Sequence, residues 1–261
     1  MSVLSRFDGL AIWKQGDQRA PHKPLLVLYA LGRWQAGRKS VGYRQAERDL
    51  TNLLREFGPP RKSDHPEQPF WRLQRDGAWV VHAPADLRLK AGDTIPRVGE
   101  LRSHDVRAEF SPEVQAALSS NPALAPEIAQ RILERHFPDS IHPDILNAVG
   151  LSLETGVTKR KRDPAFRQKV LKAYEQRCAV CGFYLQIGAS SLGLDAAHIR
   201  WHGHGGPETE DNGLALCVLH HKTFDLGAFT VKDGMMLVSD QAFGGERFDE
   251  VLLAYHGKPI R

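Results

Sequence analysis

The sequence predicts an α+β fold in two domains, and three observations support this prediction. Its 261 residues exceed the usual length of a single domain. The N-terminal half shows helical periodicity followed by a β-rich run, whereas the C-terminal half holds all three cysteines. Between the halves, residues 151–163 lose apolar periodicity and gain charge. We therefore expect an N-terminal domain over 1–150, a basic linker over 151–163 and a C-terminal domain over 164–261.

Two helices and a hairpin are predicted in the first part of the N-terminal domain. Residues 21–37 carry leucines at near-helical spacing, and residues 45–58 place apolar side chains on one stripe before a terminal glycine. Residues 70–81 contain two β-rich runs around Asp76 and Gly77, a two-residue hairpin signal. Helix, helix and hairpin in this order predict a winged-helix-like domain.

Further elements are predicted on both sides of the linker. Residues 111–149 have helical periodicity, and Ser111 followed by a proline is a typical helix start. Another helix is expected to begin at Pro164. Asp233 and Gly234 lie at the centre of a second hairpin signal within residues 229–240.

The charge balance favours an anionic partner. The formal net charge is +4, and residues 159–162 are four consecutive basic side chains. Such a run is more often a solvated linker, although it can also contact phosphates. No apolar stretch approaches the length that spans a membrane, and the first residues do not resemble a signal peptide, so we expect a cytoplasmic protein.

The cysteines are arranged in a pattern that is typical of a zinc site. Cys178 and Cys181 are separated by two residues, and Cys217 and His220 repeat the same gap. Tetrahedral zinc takes four such ligands, and two pairs separated by a loop supply them. Buried hydrophobic cysteines are the alternative, but that alternative does not account for two matched gaps. We expect a structural Zn²⁺ ion bound by these four residues.

A second group of polar residues lies around the zinc pattern. His221 and Asp225 are four residues apart, so a helix would place them on one face, where they can bind a divalent cation. On its own, such a pair is more often a surface hydrogen bond. Upstream, a β-like segment leads into His198, and Asn212 lies in a turn just before the second zinc pair.

The combined pattern "CAVC…DAAHI…GGPETEDNGLALCVLHHKTFD", over roughly residues 163 to 240, resembles an HNH endonuclease, a ββα-metal nuclease. The resemblance implies that His198 is the general base, Asn212 the central asparagine and His221 a metal ligand. Many such proteins have an Asp or His directly before the general base, where this chain has Ala197. We expect Asp195 to replace that ligand and Asp225 to be a further one.

These residue types suit phosphodiester hydrolysis. A neutral imidazole with a pKa of about 6.5 can take a proton from water at physiological pH. A bound Mg²⁺ or Mn²⁺ stabilises the charge that develops on the phosphate and on the departing 3′ oxygen. We expect His198 to take the proton from water. We expect the metal ligands implied by the resemblance to bind the cation.

The segments "RAPHKPLLVLYALGRW" and "PEQPFWRLQRDGAWVV" resemble the sulfur-binding domain of McrA-like, type IV, phosphorothioate-dependent restriction endonucleases, over roughly residues 5 to 150. A pocket for a phosphorothioate needs apolar surface for the sulfur and nearby cations for the phosphate. The resemblance implies a proline ring against the sulfur, which we match to Pro69, after Gln68 where some relatives have an aromatic residue. The expected DNA and sulfur contacts are Arg19, His22, Lys23, Tyr29, Pro69, Phe70 and Arg72.

Other interpretations remain open at this point. The aromatic residues at alternating positions of the predicted hairpin are more often core than ligand contacts. The N-terminal domain can also bind another DNA modification or an ordinary sequence, and the zinc-containing segment can be a non-catalytic DNA-binding module. The expected partner is double-stranded DNA, and a cut of both strands would suggest a homodimer.

Overall fold

The computed structural model describes residues 2–15, 18–59, 61–92, 94–153, 164–188, 190–201 and 204–261. The chain divides into two compact units, Met1–Thr158 and Lys159–Arg261, and the buried apolar side chains of the described residues form a separate cluster in each. Most of the linker, including its basic run at 159–162, lies outside the described residues. Among the described residues, no helix is both long and apolar enough to cross a membrane.

The first unit is mainly helical, with a small antiparallel sheet. Its helices are α1 (Val3–Asp8), α2 (His22–Gln35), α3 (Tyr43–Phe57), α4 (Glu67–Arg72), α5 (Val98–Ser103), α6 (Pro112–Ser120), α7 (Leu124–His136) and α8 (His142–Val149). Its strands are β1 (Lys14–Gln15), β2 (Gln18–Arg19), β3 (Ser40–Gly42), β4 (Trp79–His82) and β5 (Arg107–Phe110). The strands β3, β5 and β4 form one sheet in that order, and β1 pairs with β2.

Helix α2 is the centre of this unit. Ten of its residues, from Lys23 to Gly32, are buried, so it is apolar on nearly every side. Helix α7 packs along it, and Gly32 allows the backbone of Val149 to approach, since a Cβ on Gly32 would lie 2.0 Å from the Val149 carbonyl oxygen. The helices predicted over 21–37, 45–58 and 111–149 are thereby confirmed.

The hairpin predicted over residues 70–81 is wrong. Its first half is helical, because α4 continues into a 3₁₀ turn, Leu73–Asp76, and Gly77 ends that turn with φ 73°. Only β4 is a strand, and it pairs with β5, far along the chain. The buried side chains of Phe70 and Leu73 are three residues apart and face the core, so packing overrides the β propensity of the aromatic run.

The second unit contains three helices and six short strands among its described residues. The helices are α9 (Pro164–Ala173), α10 (Val218–Asp225) and α11 (Phe248–Val251). The strands are β6 (Gln186–Ile187), β7 (Ser190–Ser191), β8 (Leu194–His198), β9 (Gly213–Cys217), β10 (Phe229–Lys232) and β11 (Met235–Val238). The helix start at Pro164 and the hairpin at Asp233 and Gly234 are confirmed. Both units together give a mixed α+β architecture.

Most of the predicted site residues of this unit lie on or next to a β-hairpin and the helix that follows it. Strands β8 and β9 pair antiparallel from Leu194 opposite Cys217 to His198 opposite Gly213. Helix α10 begins directly after Cys217, and α9 packs on both strands. This ββα arrangement brings together residues that are more than 20 positions apart in the sequence.

Candidate functional site

Four side chains converge in the second unit to form a cysteine and histidine cluster. One ligand atom from each of Cys178, Cys181, Cys217 and His220 lies within 4.8 Å of all the others. The Nδ1 atom of His220 is 3.2 Å from the sulfur of Cys217 and 3.6 Å from that of Cys178. Tetrahedral zinc, with bonds of about 2.0 to 2.3 Å, places neighbouring ligands roughly 3.3 to 3.8 Å apart, so the donor set and its spacing suit a structural zinc ion.

The surroundings of this cluster orient its ligands. The Nε2–H of His220 donates to the carbonyl of Val251 at 2.8 Å, which turns Nδ1 toward the sulfur atoms. Cys217 is the N-cap of α10, and His220 lies one turn further on. Hydrogen bonds from Cys181 and Cys217 lower the pKa of Cys178, so this thiol is already biased toward the thiolate that binds a metal.

A second polar cluster lies around His221 on the same helix. Its Nδ1 atom is 3.9 Å from Oδ2 of Asp195, and its Nε2 atom is 3.3 Å from Oδ2 of Asp225. The Asp195 side chain is 53% exposed, whereas that of Asp225 is only 3% exposed. The structure thus brings the three predicted catalytic-metal residues together, with one carboxylate on each side of the ring.

These carboxylates control the charge on His221. Burial lowers the pKa of the imidazole, but the flanking Asp195 and Asp225 outweigh burial and raise the pKa to about 9. The same pairing with His221 lowers the pKa of Asp195 despite its partial burial. An imidazole between two carboxylates is a donor set that a divalent cation can use once the ring has lost the proton on the ligating nitrogen.

The side chains of Asp195 and Ala197 point to the same face of strand β8. Residues two apart on a strand point to the same face, so Asp195 and Ala197 share a face of β8. Ala197 is fully buried, whereas Asp195 reaches His221. The Asp195 carboxylate thus lies beside α10, two residues before the position where many HNH proteins have an acidic residue or a histidine.

His198 ends β8 and stacks on an aromatic ring of α9. The rings of His198 and Phe166 lie 4.2 Å apart with an angle of 13° between their planes. Gly213, which is opposite His198 in the pairing, leaves room for α9, because a Cβ there would lie 2.3 Å from Val170. Helix α9 therefore sets the plane of the imidazole.

The side chain of Asn212 holds the loop that follows His198. It accepts a hydrogen bond from the Arg200 amide at 2.9 Å and donates to the carbonyls of Arg200 and Pro207 at 2.9 and 2.8 Å. Its own carbonyl accepts from the Ile199 amide at 2.9 Å. Asn212 is buried, so these bonds replace those that water would otherwise make.

Four of the seven predicted DNA contacts lie in the interior of the first unit. Phe70 is 0% exposed and makes edge-to-face contacts with Tyr43 and Trp79. Tyr29 is 5% exposed, and its hydroxyl donates to Asp49 at 2.7 Å. Pro69 is buried in α4, and the ammonium of buried Lys23 pairs with Asp76. In this conformation these four side chains are core residues that lie beneath the surface of the first unit.

The remaining predicted contacts are closer to the surface. His22 is the first residue of α2, and its Nε2–H donates to the carbonyl of Asp64 at 3.0 Å, while its buried Nδ1 has no hydrogen-bond partner in the described part of the chain. Burial and the nearby Arg61 lower the pKa of His22. Arg72 ends α4 and is partly buried. Arg19 lies in β2, and its side chain is outside the described part.

Several residues at these sites were not predicted from the sequence. Phe166 stacks on His198, and Arg167 donates to the Leu194 carbonyl at 2.7 Å and lies 3.7 Å from Asp195. In the first unit, Trp13 is 49% exposed and lies 5.7 Å from the guanidinium of Arg61. For Phe166 and Arg167, the available sequence signal was the helix start predicted at Pro164. For Trp13, the available signal was an isolated tryptophan just before a polar and charged segment.

Two family models match separate parts of the chain. Residues 1–154 match the family described as "ScoMcrA-like, DNA sulfur-binding domain", and residues 178–232 match the family described as "HNH endonuclease". The comparison with curated proteins found no match.

Two solved structures share the fold. "Sulfur binding domain of ScoMcrA complexed with phosphorothioated DNA" is 22% identical with a TM-score of 0.52, over 58% of this chain and 96% of that chain. "Sulfur binding domain and SRA domain of ScoMcrA complexed with phosphorothioated DNA" is 20% identical with a TM-score of 0.54, over 76% of this chain and 60% of that chain. The first match covers more than half of the sequence, and so does the family match. The chain belongs to the ScoMcrA-like DNA sulfur-binding domain family and also carries an HNH endonuclease domain.

Proposed function

We propose that this protein is a modification-dependent restriction endonuclease, which binds phosphorothioated double-stranded DNA and hydrolyses phosphodiester bonds near the mark. The observation that carries the proposal is the presence, in one chain, of a sulfur-binding family domain and of an HNH domain whose His198, Asn212 and His221 lie around one hairpin and helix. The first domain selects the DNA and the second cuts it.

Asp195 and His221 are the proposed ligands of the catalytic Mg²⁺ or Mn²⁺ ion. One cation contacts one nitrogen of a ring, and Asp195 faces Nδ1 whereas Asp225 faces Nε2. The exposed carboxylate of Asp195 and Nδ1 therefore form the cation site. Asp225 is buried and accepts from Nε2–H, so it orients the ring, as carboxylates behind metal-bound histidines do. When bound, the cation supplies stabilisation of charge on the phosphate and the departing oxygen.

His198 is the proposed general base. It takes a proton from a water molecule, the water oxygen forms a bond to phosphorus, and the bond to the 3′ oxygen breaks. Phe166 holds the imidazole plane, and Asn212 holds the loop after it. Arg167, beside Asp195, adds positive charge where the phosphate must lie.

The proposed DNA-contacting surface lies around the start of α2. Arg19, His22 and Arg72 are the contacts retained from the sequence, while Lys23, Tyr29, Pro69 and Phe70 support them from the core. His22 is partly buried and has a lowered pKa, so it offers a polarizable ring to sulfur. Arg61, stacked on exposed Trp13, adds a cation for the flanking phosphates.

The proposed function also carries a proposal for the domain organisation of the chain. We propose domains over 1–150 and 164–261 with a linker over 151–163, and a winged-helix-like N-terminal domain. The winged-helix proposal is supported by the order of elements, which is helix α2, strand β3, helices α3 and α4, strand β4, helix α5 and strand β5, with β5 central in the sheet. Since one chain has one base, we also propose that cutting both strands takes two copies of the protein.

The test of sulfur recognition uses two duplexes of one sequence, one of which carries an Rp phosphorothioate. In Mg²⁺ or Mn²⁺, the full-length protein is expected to bind and cut only the sulfur duplex. His22→Ala and Arg19→Ala are expected to reduce the binding preference about 10-fold or more, because a phosphate contact or an apolar wall is lost. The matched control is His104→Ala, because this exposed histidine at the C-cap of α5 pairs with Glu100 and is not among the proposed DNA contacts. Equal treatment of both duplexes by the wild type would remove the sulfur reader from the proposal.

The test of catalysis is His198→Ala on the same sulfur duplex. Loss of the base is expected to reduce cleavage by ~100-fold or more without a change in DNA affinity. His82→Ala is the control, since that exposed imidazole lies on β4 of the first unit, where it pairs with Glu109 at 3.1 Å. Cleavage by His198→Ala at the wild-type rate would refute the assignment of the base.

A further inference from the structure

A cavity of about 380 Å³ opens beside the end of α10, in the second unit. Its walls include the rings of Trp201, Phe224 and Phe229 and the side chain of Leu237 on β11. The hydroxyl groups of Thr230 and Ser239 add hydrogen-bonding capacity at the walls. Aromatic and apolar walls with a few polar groups, at a volume above about 300 Å³, are typical of a ligand site.

The cavity and the proposed catalytic cluster share one residue, Asp225. Asp225 lines the cavity, and its carboxylate is 3.3 Å from Nε2 of His221. Trp201, which also lines the cavity, follows the proposed base, His198, by three residues along the chain. The cavity is therefore tied to both proposed catalytic histidines, through Asp225 beside His221 and through the segment that follows His198.

The position of Trp201 is set by the backbone around it. Its carbonyl accepts hydrogen bonds from the amides of His204 at 2.9 Å and Gly206 at 3.0 Å. Gly206 also approaches Arg200 so closely that a Cβ would lie 1.7 Å from the Arg200 carbonyl oxygen. Asn212 ties Arg200 to the hairpin. This wall is therefore preorganised before DNA arrives.

We propose that the cavity binds one nucleobase of the strand being cut, beside the scissile phosphate, with Trp201 as its stacking surface. The inference rests on the proposed nuclease function and adds a subsite to it. Every base has an apolar face that stacks on an aromatic ring, so the site tolerates different sequences. Anchoring this nucleotide places the adjacent phosphate between His198 and His221, which raises the rate of cleavage once DNA is bound.

The first test compares Trp201→Ala, Trp201→Phe and Phe243→Ala in the full-length protein. Phe243 is 92% exposed and lines neither the cavity nor the catalytic cluster, so its loss controls for removal of an aromatic side chain from this unit. Single-turnover cleavage of the phosphorothioated duplex is measured at saturating protein. Trp201→Ala is expected to be ~10-fold slower or more, Trp201→Phe close to the wild type, and Phe243→Ala unchanged. Equal rates for Trp201→Ala and Phe243→Ala would overturn the subsite.

The second test does not depend on how the variant folds. Duplexes with one abasic residue are made at each position flanking the mapped cut, and the wild-type protein is assayed on each. One position is expected to slow cleavage about as much as Trp201→Ala does, and Trp201→Ala is expected to be indifferent to that same lesion. Uniform cleavage of all abasic duplexes by the wild type would refute the subsite and leave the proposed function intact. Absence of cleavage of the intact duplex would refute the proposed function itself.

Discussion

His220 and His221 are neighbours in the chain, yet their rings face different sites. The rings of successive helical residues are about 100° apart around the axis, so one side of α10 faces the thiols and the next faces Asp195. His220 uses Nδ1 toward the sulfur atoms and Nε2 toward the Val251 carbonyl. The two adjacent histidines therefore belong to two different clusters.

Asn212 offers a prediction at the scale of one residue. Asn212→Ala removes one acceptor and two donors that hold the loop after His198. Since each buried hydrogen bond contributes about 1 kcal/mol, we expect a loss of about 2–4 kcal/mol in the free energy of unfolding of the second unit. Cleavage is expected to fall together with stability.

Thermal unfolding and single-turnover cleavage of the zinc-loaded protein check this prediction. Asn52→Ala is the control, because that asparagine is exposed and lies in α3 of the first unit. An Asn212→Ala protein as stable and as active as the control would show that the loop is held by other contacts.

At the scale of elements, α9 is the support of the catalytic hairpin. It packs on both β8 and β9, with Phe166 against His198 and Val170 against Gly213. Gly213 is the residue that permits this approach, since any side chain there would meet Val170 and Phe166. The helix therefore positions His198, the proposed base, as well as covering the core.

Gly213→Ala tests that role. The added methyl group is expected to displace α9, to lower the free energy of unfolding by about 1–3 kcal/mol and to reduce cleavage by the tilt of the His198 ring. Gly245→Ala is the matched control, because a Cβ there meets nothing within 4 Å. The measurements are thermal unfolding and cleavage rate. Equal behaviour of the two variants would contradict the close approach.

At the scale of the whole molecule, the described residues form two units with separate hydrophobic clusters. The first unit has an extensive core around α2, whereas the second has short strands and a four-residue cysteine and histidine cluster. A small unit with few buried residues gains much of its folding free energy from such a metal site.

Removal of zinc is therefore expected to unfold the second unit and leave the first folded. Chelation should abolish cleavage even in excess Mg²⁺, while binding of the phosphorothioated duplex persists, and Cys217→Ser should behave in the same way. Hydrogen exchange of the full-length protein distinguishes the units, and readdition of Zn²⁺ is the control. Retention of protected amides in β8 and β9 after complete zinc removal would contradict this expectation.

Spacing between residues along the chain was enough to predict the groups whose members lie close together in the sequence. The matched two-residue gaps predicted the cysteine and histidine cluster, and the four-residue spacing of His221 and Asp225 predicted their shared helix face. The local sequence pattern failed at residues 70–76, where aromatic residues indicated a strand but form a helix. There the outcome depends on packing of Phe70 against Tyr43 and Trp79.

The sequence by itself determined the cysteine and histidine cluster and the shared helix face of His221 and Asp225, because these follow from spacing within short segments. The proposed nuclease residues came from resemblance to a known family. Only the tertiary structure decided that Asp195 faces one nitrogen of His221 and Asp225 the other, that Phe166 stacks on His198, and that Tyr29 and Phe70 lie in the core. Each of these depends on how separate elements pack, and packing energies between distant segments leave no periodic signal along the chain.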